Sequence, residues 1–319
     1  MERFLKSRFK TGPKIGENPF SLTYRGTFLS GEKPVIIKIY KRGTLNSALI
    51  KNMKAKVKLL SEMDHPGIAR LYDGDYGWQG FYYVREFVEG RTLGEILQGG
   101  KAELFDADRI IGLVCEALLI PHRAGLVHGA IKPENVFILA NGQIKLADFT
   151  IEGEVKEALP QKAVVVLSRS QFMSPEEILG DVARASSDIY SVGLLYYALL
   201  SGILDFPPAR KLNGALPPPP GLPKYAEDVL DKALQPDPLL RFRTIDDFLQ
   251  SLKQKTLVEK REALDFPPIE LENRPPLEAQ EVVVVRQERK RSFFLLIVIG
   301  LSIAAGLIYM LIMRSCVNY

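Results

Sequence analysis

Two short stretches carry the side chains best suited to chemistry. The first is His128-Gly129-Ala130-Ile131-Lys132-Pro133-Glu134-Asn135; the second, thirteen residues after Asn135, is Asp148-Phe149-Thr150. A carboxylate such as Asp148 and an amide oxygen such as Asn135 suit a hard cation of the Mg2+ kind, which proteins hold through one or two oxygen ligands plus substrate phosphates. Lys132 adds positive charge of the sort that phosphate oxygens attract. The set suits the handling of a metal-bound phosphate. Ala130, inside the first stretch, offers only a methyl group, which cannot take a proton from a hydroxyl.

The spacing resembles that of the eukaryotic-type (Hanks-type) Ser/Thr protein kinases, whose catalytic loop reads H-R-D-x-K-x-x-N and whose metal-binding triplet reads D-F-G. Further landmarks follow in the same order. Val35-Ile36-Ile37-Lys38 resembles the V-A-I-K strand, which makes Lys38 the phosphate-contacting lysine. Met173-Ser174-Pro175-Glu176 resembles the end of the activation segment in its bacterial form, and Asp188-Ile189-Tyr190-Ser191-Val192-Gly193 the start of the central helix of the large lobe. Asp237-Pro238-Leu239-Leu240-Arg241 matches the late D-P-x-x-R, whose arginine pairs in this family with the glutamate at Glu176. Leu60, Leu71, His128 and Phe149 fall where the family stacks its regulatory spine above Asp188. The resemblance implies cofactor contacts at Lys38, Gly16, Glu86 and Val88, the last two in the hinge Glu86-Phe87-Val88. It implies metal contacts at Asn135 and Asp148, with ATP and Mg2+ as the cofactors.

The same alignment shows what is degraded. The loop expected as G-x-G-x-x-G-x-V reads Gly16-Glu17-Asn18-Pro19-Phe20-Ser21-Leu22-Thr23 and keeps only its first glycine. Glycines let backbone approach phosphate closely, and Pro19 has no amide to donate. Ile36 replaces the small alanine that roofs the adenine. Lys56 stands where a helix glutamate pairs with the strand lysine; two such ammonium groups ~4 Å apart repel by about 4 kcal/mol at an effective dielectric near 20. Arg85 occupies the gatekeeper place. Gly129 replaces the arginine that reads a phosphorylated activation segment, and Arg169 replaces a supporting threonine. With Lys38, Lys56 and Arg85 converging behind the nucleotide site, Asp148 is the obvious counter-charge, so Lys56 or Arg85 is expected to take it as a partner and draw it away from metal.

These residues need a scaffold. The implied fold is α+β: a bilobal, protein-kinase-like arrangement with a β-rich N-lobe over residues 9–88 and a helical C-lobe over 89–256. The pattern agrees. Strand-like runs cover 33–40, 68–72 and 80–88. A helix is expected over 45–63, with Leu49, Met53, Val57, Leu60 and Met63 on one face. Helices are also expected over 109–124, around Cys115 as a core residue, and over 188–201. The Pro-rich 216–223 reads as a loop between helices.

Beyond residue 256 the composition changes. Residues 257–291 mix charge with prolines and read as a linker ending in Arg286, Arg289, Lys290 and Arg291. Phe293 to Met313 carries no charge and matches the ~20 residues that cross a bilayer. A transmembrane helix is expected over 292–313, with a short extracytoplasmic tail at 314–319. The basic residues ahead of it place the kinase-like domain in the cytoplasm. The N-terminus shows neither the apolar stretch of a secretory leader nor a glycine after Met1, and two cysteines suit a reducing compartment. A net charge of +4, with no Lys/Arg tract interleaved with aromatics, argues against nucleic acid as a partner. The functional expectation is a membrane-anchored pseudokinase that acts as a scaffold or allosteric module for protein partners, with weak or no nucleotide binding. The alternative is an active or slow Ser/Thr kinase. A third reading makes the basic juxtamembrane run a lipid-surface adaptor.

Overall fold

The structure, a computed structural model, describes residues 3–259 apart from 6–7, 19, 32, 150–170 and 215. Thr150, Arg169, Pro19 and the segment Phe293 to Met313 lie outside the described residues. No helix among the described residues is long and apolar enough to cross a membrane.

The N-terminal lobe is a mixed-length antiparallel sheet. Strands β1 (Arg3–Leu5), β2 (Phe9–Glu17), β3 (Ser21–Phe28), β4 (Pro34–Lys41), β5 (Leu71–Gly77) and β6 (Gly80–Glu86) are ordered β1-β2-β3-β4-β6-β5. β4 lies in mid-sheet with Val35 through Tyr40 all buried, which explains its nearly unbroken apolar run. Successive side chains of a strand point to opposite faces. Val35, Ile37 and Ile39 join Phe9, Tyr82 and Val84 in a core on one face. Tyr40, Phe81 and Tyr83 belong to the other face, packed with helix α1 (Ser47–Glu62). Lys38 and Arg85 alternate in step with that second face. α1 starts where Asn46 accepts the Leu49 amide at 2.8 Å, and it buries Leu49, Met53, Val57 and Leu60 as the periodicity requires.

One expectation is met only in part. Of residues 68–72, Leu71 and Tyr72 are in a strand: β5 begins at Leu71 and runs through Asp73, Gly74 and Asp75 to Gly77. β5 is one of the sheet's two edge strands, and most of its side chains are half-buried rather than alternating between buried and exposed. Ile68 makes only a parallel bridge to Leu146.

The C-terminal lobe is helical. The short helix α2 (Leu93–Leu97) and the long α3 (Leu104–Arg123) lie in the chain between β7 (Arg91–Thr92) and β8 (Val136–Ile138), which with β9 (Ile144–Leu146) form a small sheet. There follow α4 (Pro175–Ile178), α5 (Ala185–Ser201), α6 (Pro208–Leu212), α7 (Lys224–Ala233) and α8 (Ile245–Glu259). α5 is buried from Ser187 to Leu200, which is why it is apolar all round rather than striped. It stops at Gly202, whose φ of 74° is the left-handed cap that glycine adopts without strain. Cys115 is fully buried on α3, and 216–223 is a loop between α6 and α7, both as expected.

Candidate functional site

The site lies where the N-lobe face of β4 and β6 meets the loops of the C-lobe. The antiparallel register sets its roof. Ile36 pairs with Arg85, and Lys38 with both Thr23 and Tyr83. Tyr83 and Arg85 are two residues apart on β6, so both side chains project from the same face.

The loop from His128 is held from below by α5. Asp188 accepts the His128 amide at 2.7 Å and the Gly129 amide at 2.8 Å, while His122 Nε2 lies 2.9 Å from the same carboxylate. Gly129 has φ of 68°, a left-handed turn that costs glycine nothing sterically. The His128 ring sits 4.6 Å from the Phe149 ring, and Leu60 and Leu71 are buried in the same core. Ala130 is buried at the base position, and its carbonyl accepts Asn135 Nδ2 at 2.8 Å. Asn135 therefore braces the loop that carries Ala130. Lys132 is half-buried on the same loop.

Asp148 is the centre of the arrangement. Arg85 Nε donates to its Oδ1 at 2.7 Å, and the Tyr83 hydroxyl donates to the same oxygen at 2.9 Å. Lys38 Nζ stands 3.8 Å from Oδ2. Of the two cations named as candidates, Arg85 takes the contact. Burial alone would push the Asp148 carboxyl up; the charges of Arg85 and then Lys38, with the hydrogen bonds from Arg85 and Tyr83, overcome it and hold the carboxyl well below the usual range. Asp148 also has φ of 59°, the one left-handed backbone among the described residues that are not glycine. Aspartate tolerates that region better than most residues, and such departures gather at functional and switch sites.

The hinge is engaged as well. Arg85 Nη1 donates to the Glu86 carbonyl at 3.0 Å. The Glu86 carboxylate takes Lys145 Nζ at 2.6 Å and the Arg70 amide at 3.1 Å. Val88 is buried with Ala69 and Ala147. Gly16 sits in β2 opposite Thr23. Lys56 is half-buried on α1. The guanidinium of Arg85 lies 6.0 Å from the Phe137 ring. The structure thus gathers Lys38, Glu86 and Asp148 around Arg85, while Asn135 turns its amide nitrogen to the loop.

Tyr83 and Lys145 were not singled out from the sequence. Tyr83 was within reach of a period-2 argument from Arg85. Lys145 was not, because its partner is on the other lobe.

A metal-bound nucleotide meets a poor fit here. Both lone-pair directions of Asp148 Oδ1 are taken by protein donors, the local counter-charge is already supplied by Arg85, and the Glu86 carbonyl is engaged by the same guanidinium. Ile36 is buried directly opposite Arg85, so the roof is closed by a branched side chain where a small one would leave room. A separate cavity, lined by Leu60, Met63, Tyr83, Arg85, Asp148 and Phe149 and not by Gly16, Lys38, Glu86 or Val88, measures about 10 Å³, space for about one water.

Farther out, the anchor of the large lobe has the pairing expected of it. Arg241 Nη1 and Nη2 meet the two oxygens of Glu176 at 2.8 and 2.7 Å. Glu177 accepts the Ser174 amide at 3.0 Å in a capping box at the start of α4.

Comparison with known proteins agrees with this architecture. The chain is 31% identical over 233 residues to the serine/threonine-protein kinase PknA of Mycobacterium tuberculosis, covering 68% of this chain and 54% of that protein. It is 28% identical over 268 residues to the serine/threonine-protein kinase PrkC of Bacillus subtilis, covering 78% of this chain and 40% of that one. A probable serine/threonine-protein kinase of Clostridium perfringens matches at 24% over 265 residues, 79% of this chain and 39% of its own. The chain therefore spans about half or less of the length of these relatives. The profile of the protein kinase domain covers residues 9–252, and with that match the chain belongs to the protein kinase domain family, among the Hanks-type members.

Proposed function

We propose that this chain is a pseudokinase, a kinase-fold module that presents a fixed surface to protein partners and does not transfer phosphate. Protein kinases generally use ATP with Mg2+. The observation that carries the reading is the capture of Asp148 by Arg85 at 2.7 Å, with Ala130 at the base position of the same cleft. One group is withheld from metal and the other is absent. The test is phosphotransfer by the purified full chain in detergent against a Lys38→Met control. No rate above that control is expected; a robust rate that Lys38→Met abolishes overturns the reading. A second readout is ATP-induced thermal stabilisation, which follows RT ln(1 + [L]/Kd). Mg2+ should add little to it in the wild type.

The second reading, a slow Ser/Thr kinase, draws support from Lys38 at 3.8 Å from Asp148 and from relatives named as serine/threonine kinases. Loss of a general base removes about 10²–10⁴-fold and leaves the remaining catalysis in place. The phosphotransfer assay separates the two.

We also propose that the module is tethered to a membrane by Phe293 to Met313, with residues 1–291 in the cytoplasm. The charge-free run and the basic cluster before it support this. Protease added outside intact cells should leave the domain uncut; digestion from outside reverses the topology.

A further inference from the structure

We infer that Arg85 is a built-in substitute for the nucleotide: its guanidinium bridges the hinge and the aspartate after β9 and keeps the two lobes closed on each other with no small molecule in the cleft. This rests on the pseudokinase reading for its biological meaning, but not for its geometry. A single planar group makes both contacts. Nη1 reaches the Glu86 carbonyl at 3.0 Å, and Nε reaches Asp148 Oδ1 at 2.7 Å. These are the two places, hinge and metal aspartate, where the family resemblance puts the ends of the cofactor. A guanidinium fork is rigid and always charged, so it can hold two fixed acceptors with little further ordering.

The bridge joins the lobes because its ends belong to different sheets. Arg85 is on β6 of the six-stranded sheet, whereas Asp148 follows β9 of the three-stranded one. Other ties cross at the same level. The Tyr83 hydroxyl and Lys38 approach Asp148 from β6 and β4. Lys145 on β9 holds Glu86 at the end of β6 through both carboxylate oxygens at 2.6 Å. The Ala69 amide donates to the Leu146 carbonyl at 2.7 Å, and the Leu146 amide to the Gly67 carbonyl at 2.8 Å. The side chains of Arg85, Lys38 and Asp148 are each no more than 13% exposed, so water competes weakly for these contacts. In an ordinary ligand-closed cleft, closure follows ligand concentration. Here the closing group is part of the chain, so its effective concentration is fixed and the closed arrangement is constitutive.

The experiment is hydrogen exchange of the full chain in detergent, read by mass spectrometry over residues 67–71, 83–88 and 144–149. Wild type should show slow exchange there that changes less than about twofold when ATP and Mg2+ are added. Arg85→Met should raise exchange in these segments at least tenfold. α5, buried from Ser187 to Leu200, reports whether the variant still folds. If α5 exchange rises too, Tyr83→Phe decides, since it deletes one bond to Asp148 and keeps the ring; a rise of about threefold confined to the same segments is expected. The inference is overturned if wild-type protection increases tenfold with ATP and Mg2+, or if the variant that keeps α5 protected leaves the three segments unchanged. Phosphotransfer measured on the same preparation reports separately on the pseudokinase reading: activity there with unchanged lobe protection removes that reading and leaves the closure intact.

Discussion

The Glu176–Arg241 pair allows a worked prediction about what holds the large lobe together. The Arg241 side chain is fully buried, and Glu176 is 11% exposed. Arg241 spends all five of its N–H groups. Nη1 and Nη2 serve Glu176, Nε serves the Gln235 carbonyl at 2.7 Å, and the remaining two serve the Ser186 and Pro236 carbonyls at 2.9 Å each. Replacing it by methionine fills much of the volume but strands the carboxylate and three carbonyls. Removing one partner of a buried pair costs about 3–5 kcal/mol. With a urea slope near 3 kcal/mol/M, the upper part of the usual range, the unfolding midpoint should fall by about 1–1.7 M. Far-UV circular dichroism in urea measures it. Glu176→Gln with Arg241→Met should cost less than the sum of the two single changes, because neither partner then faces an unpaired charge. The pH dependence has a definite sign. Burial pushes the Glu176 carboxyl up, but the hydrogen bond and charge of Arg241 prevail and lower it. A depressed carboxylate contributes stability above its unfolded value, near 4.5, and loses it as pH falls through the lower folded value. In Arg241→Met the stranded carboxylate is instead relieved by protonation. The gap between wild type and variant should therefore narrow from pH 7 toward pH 4. A loss under about 1 kcal/mol, or a gap that does not change with pH, would refute this reasoning.

Other outcomes follow from single positions. Gly193→Ala should destabilise by about 1–3 kcal/mol, since the added methyl meets Ala233 Cβ at 2.9 Å and Leu234 Cδ2 at 3.0 Å; Gly112→Ala on α3, whose nearest neighbour is Leu249 Cδ1 at 3.9 Å, should stabilise by up to about 1 kcal/mol, and thermal melts distinguish the two. Burial pushes the Cys115 thiol far above its ordinary value, so in a Cys316→Ser background native protein should not react with a thiol reagent at pH 8 and should react on unfolding; fast labelling of the native state would contradict the burial. Ala130→Asp alone should raise phosphotransfer by less than about tenfold, well short of the 10²–10⁴ of a working base, because Arg85 still holds Asp148. Adding Lys56→Glu and Arg85→Met should raise Mg2+-dependent stabilisation by ATP; a full return of activity from Ala130→Asp by itself would show that Asp148 was never withheld.

Much of this protein was decided by the order of residues along the chain. The ordered landmarks from Val35 to Arg241 specify the two-lobed fold, and the apolar periodicities of α1 and β4 specify which faces they bury. Those are local properties, with periods of about 3.6 and 2, so they can be read without coordinates. The missing base is also a property of sequence, because Ala130 carries no proton acceptor in any conformation. What the chain left open was which cation takes Asp148. Lys56 and Arg85 had equal formal claims, and both lie more than sixty residues away from that carboxylate in the chain. The register of β4 against β6 settled it by placing Arg85 and Tyr83 on the cleft face, within hydrogen-bond reach of one oxygen. The Glu86–Lys145 tie was settled in the same way, by the packing of β9 beneath the hinge. β5 escaped the pattern because its side chains are mostly half-buried, so they show no apolar rhythm of period 2. Charge pairing between lobes depends on distances of a few ångströms, and only the packed tertiary structure sets those.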